Sequence, residues 1–108
     1  MILKSLIVRG GDGRGDTFRG QAGDDYLFGE GGADGYLYDT RHFDTDQIFG
    51  FDDGADKIVM STSIFVNFAA VQAATTIIGS DTKIDAGNGD VIVLKSFTAL
   101  TADDFIFF

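Results

Sequence analysis

The chain has 108 residues, 44% of them hydrophobic, which is enough for one domain with a modest core and argues against disorder. Formal net charge is -9, so a nucleic-acid partner, which needs a basic face, is excluded. Cysteine is absent, which removes disulfides and thiolate metal sites, and no apolar run approaches the ~20 residues of a membrane span.

The N-terminal segment Met1 to Val8 is short and interrupted by Lys4 and Ser5, so it does not resemble a cleavable signal peptide. Ile7 and Val8 are expected to supply a first strand. Ten of the fifteen glycines then fall at or before Gly35, and the acids are lopsided, with sixteen Asp against the single Glu30. Asp with Gly points to turns and to hard cations, which prefer oxygen ligands. A ninefold register runs through this part. Asp16, Asp25 and Asp34 are nine apart, as are Gly11, Gly20 and Gly29, and Phe18, Leu27 and Tyr36 share the spacing as the buried position. Each unit is six turn residues ending in Asp, followed by three strand residues with an apolar one in the middle. One buried side chain per unit cannot fold alone, so the units must stack as a solenoid. Two units make one coil, and loops eighteen residues apart lie against each other. The loop ending in Asp16 then faces the loop ending in Asp34, leaving two carboxylates across a narrow gap lined by carbonyls. Such a gap favours a cation, and Ca²⁺ suits the oxygen donors.

After residue 40 the composition turns to apolar, β-branched runs. Strands are expected at Asp46–Phe51 and Asp56–Ser61 around a turn at residues 52–54. A short helix is expected within Val66–Ala74, with Phe68, Val71 and Ala74 inward. "TTIIGSDTKIDA" predicts a hairpin turning at Gly79–Thr82, and Gly87-Asn88-Gly89 a turn into a strand at Val91–Lys95. "TADDFIFF" predicts a turn or short helix and a last apolar strand. The fold class is therefore all-β: a short parallel β-roll over residues 5–40, capped over residues 41–108 by an antiparallel sheet segment with one short helix, the whole forming a single domain.

The segments "GQAGDDYLF", "GEGGADGYLY" and the degenerate "GDGRGDTFR", with Arg14 where Gly is usual, resemble the hemolysin-type calcium-binding nonapeptide repeat, known as RTX. "DQIFGFDDGADKIVMS" and "GSDTKIDAGNGDVIVLKSFTALTADDFIFF" resemble the C-terminal domain of serralysin-type secreted proteases, except that Gly50 stands where that family commonly has Asp. The resemblance implies one full Ca²⁺ site made by Asp16 with the carbonyls of Asp12 and Arg14, and by Asp34 with the carbonyls of Gly29 and Gly31. It implies half of a second site from Asp25 with the carbonyls of Gln21 and Gly23. The position eighteen residues beyond Asp25 is Phe43, which cannot ligate by its side chain, and Asp44 and Asp46 are the candidates to replace it. Asp103-Asp104 followed by four apolar residues resembles the C-terminal export signal of type I secreted proteins; an ordinary core strand is the alternative, and one segment can serve as both.

No catalytic constellation is evident. His42 is the only histidine and has neither a triad nor a metal-binding motif around it, and the Asp-Asp pairs do not converge by spacing. The expected function is a calcium-binding module, not an enzyme, secreted without an N-terminal signal peptide through type I machinery. The alternative is a polysaccharide-binding accessory module using Tyr26 or Tyr38, attached to an enzyme outside this chain.

Overall fold

A computed structural model describes residues 6–9, 17–19, 25–28, 34–39, 44–52 and 55–108, the first two stretches and Asp25 as backbone. The described elements are β1 (Leu6–Arg9), β2 (Thr17–Arg19), β3 (Asp25–Phe28), β4 (Gly35–Tyr38), β5 (Thr45–Phe49), β6 (Lys57–Met60), α1 (Phe68–Ala73), β7 (Thr75–Ile78), β8 (Asp81–Gly87), β9 (Asp90–Lys95) and β10 (Phe105–Phe107). A 3₁₀ turn at Ala102–Asp104 leads into β10.

The strands alternate between two sheets, one ordered β1-β3-β5-β9-β8-β7 and the other β10-β6-β4-β2. All the roll pairings are parallel: β1 on β3, β3 on β5 and β5 on β9 in one sheet, and β2 on β4, β4 on β6 and β6 on β10 in the other. This is the expected all-β class with a parallel strand set. Strands of a coil are short because each contributes only one or two side chains to the space between the sheets. Tyr36, Ile58 and Phe105 stack in register down one sheet, and Leu27, Ile48 and Leu94 down the other, all buried. Inner positions alternate with half-buried outer ones along β4, β5, β6 and β9, as period-two geometry requires.

Two expectations change. β5 and β6 exist close to the expected positions, but they do not form an antiparallel pair around the turn at residues 52–54. Each lies in a different sheet and pairs in parallel with the preceding coil. The roll's parallel pairing therefore runs on through β5, β6, β9 and β10. The physical reason is visible in the triplets Asp46-Gln47-Ile48 and Asp56-Lys57-Ile58, which repeat the Asp-x-apolar order of the nonapeptides with both outer members facing inward. Tyr38 is the second change. It is buried at 2% exposure, because β4 has four residues and Tyr38 shares its face with Tyr36.

The antiparallel part is narrower than expected and lies at the end of the larger sheet. β8 pairs antiparallel with β9, and β7 with β8, so they extend that sheet past the last roll strand. Asn88 and Gly89 connect β8 to β9 with φ of 56° and 86°, the two positive values that an Asn-Gly hairpin turn of type I′ supplies. α1 starts at Asn67, whose Oδ1 accepts the amide of Ala70 at 3.0 Å. It buries Val71 and sets Phe68 against Phe105 at 5.6 Å between ring centroids. Among the described residues no helix is long and apolar enough to cross a membrane.

Candidate metal centre

Among the described residues, Asp34, Asp56 and Asp90 stand where the chain turns into a strand. β2 pairs with β4 as Thr17 with Gly35 and Phe18 with Tyr36, a separation of eighteen residues. That is the register required for the loops preceding these strands to stack. Asp34, directly before β4, is buried at 2% exposure. Its expected companions Asp12, Arg14, Asp16, Gly29 and Gly31 lie outside the described residues, as do Gln21, Gly23, Phe43 and His42.

On the other side of the roll, β3 pairs with β5 as Tyr26 with Gln47 and Leu27 with Ile48, a separation of twenty-one. The backbone of Asp25 is thus followed, one coil on, by Asp46. Asp46 is fully buried and faces the same way as Ile48. Of the two candidates to stand opposite Asp25, Asp46 occupies the level and Asp44 does not. Asp44 lies two residues earlier with φ of 61°, in the left-handed region that Asp tolerates better than most side chains. Its amide donates to Asp90 Oδ1 at 3.0 Å, and its carbonyl accepts the amide of Val91 at 2.9 Å.

Asp56 and Asp90 did not stand out in the nonapeptide spacing, yet both are buried at strand starts. Asp56 Oδ1 accepts the Asp34 amide and Oδ2 accepts the Asp52 amide, both at 2.8 Å. The signal that marks them is the triplet Asp-x-apolar, as in Asp56-Lys57-Ile58 and Asp90-Val91-Ile92, taken without the ninefold period. Among the described residues no three Asp, Glu, His or Cys side chains come together as a metal-binding group. The described corner donors, Asp34 and Asp46, offer only oxygen. This fits a hard cation and not a soft one.

Elsewhere the ionisable groups serve structure. Asp81, the first residue of β8, has its pKa lowered by the Ser96 amide at 2.7 Å and then by Lys95 Nζ at 2.9 Å. Asp104 Oδ2 accepts the amide of Thr101 at 2.8 Å and braces the turn into β10. Lys57 Nζ donates to the Asp103 carbonyl. For the aromatic side chains, Tyr36 and Tyr38 are buried, while Tyr26 stands half-buried and tilted against Phe49 at 6.2 Å. Phe28 and Phe49 stack face to face at 4.5 Å, which covers one face of each ring.

No protein-family model matches the chain, and no curated protein matches it. Among solved structures the fold is similar to that of the extracellular lipase LipA from Serratia marcescens, at a TM-score of 0.66 and 20% identity. The match covers 93% of this chain and 20% of the lipase, so the chain spans about a fifth of the length of the structure it resembles. At this identity the likeness extends to the fold: the two-sheet roll with its extended end is an architecture this chain has in common with part of an extracellular lipase.

Proposed function

We propose that the chain is a calcium-binding β-roll module that folds on Ca²⁺ outside the cell and supports type I secretion of the protein that carries it. The observation that carries this is the eighteen-residue parallel register of β2 on β4, which is the stacking the nonapeptide spacing demands. Asp34 and Asp46 are both buried at the corners and offer oxygen donors, the kind a hard cation takes. Asp16 and Asp34 would hold the principal ion, with the carbonyls of Asp12, Arg14, Gly29 and Gly31. Asp25 with Asp46 would take part in an irregular second site. Bound Ca²⁺ supplies charge compensation at these corners and no chemistry of its own.

The physical logic is linkage. A cation that binds only the folded form stabilises it by mass action, and at ten times the dissociation constant one site contributes about 1.4 kcal/mol. Extracellular calcium modules have dissociation constants of roughly 10⁻⁴ to 10⁻³ M, so such sites fill outside the cell and stay empty in a calcium-poor cytosol. The likeness to part of an extracellular lipase supports an extracellular setting, and the segment ending in β10 is the proposed export signal, buried in part once the chain has folded. No catalytic role is proposed for this chain. The polysaccharide alternative loses one of its two tyrosines, since Tyr38 is buried and Tyr26 is half-buried.

A far-UV circular dichroism titration with Ca²⁺ from EDTA, with Mg²⁺ as control, tests the proposal. A cooperative gain of β signal specific to Ca²⁺ is expected, and Asp16→Ala with Asp34→Ala should shift its midpoint to higher calcium by about tenfold or more, the loss of both charged ligands of one site. A spectrum already at its calcium-saturated form in EDTA would overturn it.

A further inference from the structure

The same pair of hydrogen bonds appears at two corners of the roll, one on each sheet. At the first, the amide of Asp34 donates to Asp56 Oδ1 at 2.8 Å while the amide of Lys57 donates to the Asp34 carbonyl at 2.9 Å. At the second, the amide of Asp44 donates to Asp90 Oδ1 at 3.0 Å while the amide of Val91 donates to the Asp44 carbonyl at 2.9 Å. In each, the lower residue is a buried Asp at a strand start, and its carboxylate clasps the corner of the coil above. Asp56 goes further, since its other oxygen takes the Asp52 amide.

From this recurrence the geometry points to a division of the roll that goes beyond its calcium sites: Asp56 and Asp90 are cation-independent clasps, and they hold the last coil closed without a divalent ion. Backbone N–H groups bring to these carboxylates the positive charge density that a cation brings to a metal corner, and hydrogen bonds to an ionised acceptor are about twice as strong as neutral ones. Asp56 has an amide on each oxygen and is 0% exposed, so its burial is compensated by the protein itself. The buried cluster of the roll, which begins with Leu27, Tyr36 and Tyr38, runs on through the coil below the clasps. Ile48, Ile58, Ile84, Ile92, Leu94 and Phe105 are buried there, with Val71 of α1 packed among them. The calcium-dependent part then ends at Asp34 and Asp44, which belong to the clasps through their backbone groups, and Asp46 on β5 faces the last proposed calcium corner from the calcium-independent side. The inference rests on the proposed calcium role only for what lies above this boundary.

Hydrogen–deuterium exchange of the full chain, in EDTA and in Ca²⁺, reads both parts separately. Expected in EDTA is protection of β5, β6, β8, β9 and β10, with β2 and β3 gaining protection only when Ca²⁺ is added. Protection of every strand in EDTA would leave the clasps standing and sink the calcium switch. Protection of none of them in EDTA, with all regained in Ca²⁺, would overturn the clasps and leave the switch intact. Asp56→Ala should speed exchange in β6 about ten- to hundredfold in EDTA and in Ca²⁺ alike, the effect of losing hydrogen bonds to a charged group. Equilibrium dialysis should find the number of Ca²⁺ bound at saturation unchanged, and the loss of one ion per chain would make Asp56 a ligand and overturn the inference. Should Asp56→Ala fail to fold, Asp56→Asn, which keeps an acceptor for one amide, and the wild-type exchange pattern still decide.

Discussion

The first coil and the last coil of the roll solve one problem in two ways. From Phe18 to Tyr36 the chain returns to the same sheet after eighteen residues; from Ile58 to Phe105 it takes forty-seven. Both bring an apolar side chain into register above its predecessor, and both have acids at the corner before the strand. The short coil is Gly- and Asp-rich in sequence, and a cation is the partner proposed for its acids. The long coil contains α1, β7 and β8, and the acids that border it, Asp56 and Asp90, take backbone amides from the coil before it, those of Asp34 and Asp44. What differs is the source of positive charge, and that difference can be probed residue by residue.

The largest expected effect lies where the two kinds of coil meet. Ile58 is fully buried, with Tyr36 on one side and Phe105 on the other in the same ladder. Ile58→Ala should cost about 2–5 kcal/mol, the usual range for truncating a buried isoleucine. Urea denaturation should show the loss in EDTA and in saturating Ca²⁺ alike, because Ile58 lies in the unit proposed to need no ion. Leu27→Ala, truncating an equally buried side chain in β3, should lower stability in Ca²⁺ while leaving the midpoint in EDTA near that of the wild type. Equal losses for both variants in EDTA would erase the distinction between the coils.

Asp90 gives the next sharpest test, since its partner Asp44 was an expected calcium ligand. Asp90→Ala leaves the Asp44 amide without its acceptor, and this should cost about 1–3 kcal/mol. The cost should be the same at zero and at saturating Ca²⁺. A cost that grows with Ca²⁺ would assign Asp90 and Asp44 to a metal corner and extend the calcium-dependent coil downward.

Much of this architecture was legible before any coordinates. The ninefold register of Asp16, Asp25 and Asp34 required stacking, and β2 on β4 has the separation it demanded. Phe68 and Val71 on a short helix, and the Asn88-Gly89 hairpin, followed from local chemistry, which acts over a few residues and leaves its mark in the sequence. Parallel or antiparallel pairing leaves no such mark. Asp46–Phe49 and Asp56–Met60 have the alternation of any half-buried strand, and nothing local states that they belong to opposite sheets. The clue was the Asp-x-apolar triplet, which persists at Asp46, Asp56 and Asp90 after the spacing has lengthened from nine residues to ten, twelve and more. For the proposed metal corner, the sequence nominates Asp34 and leaves Asp44 and Asp46 as equals. Only the register of Tyr26 on Gln47 separates those two, because loop length sets it and loop length is not readable from the ligand pattern.

The smallest effect concerns the end farthest from the nonapeptides, where charge is supplied by a side chain. Lys95 Nζ lies 2.9 Å from Asp81 Oδ2, with the Ser96 amide on the other oxygen, and together they lower the Asp81 pKa. A carboxylate whose folded pKa is depressed stabilises the fold fully above its unfolded value, and that contribution is lost as pH falls through the lower folded value. Asp81→Asn should therefore be less stable than wild type at about pH 6 and should converge on it as pH falls through the lowered folded pKa of Asp81. The gap at neutral pH should be small, since the pair is partly exposed and solvent screens it, and raising the salt should narrow it. Calcium should leave the gap unchanged, because β8 and β9 lie beyond the clasps. A gap that appears only when Ca²⁺ is bound would mean that the hairpin folds with the calcium coils, and the boundary at Asp56 and Asp90 would have to move past the end of the roll.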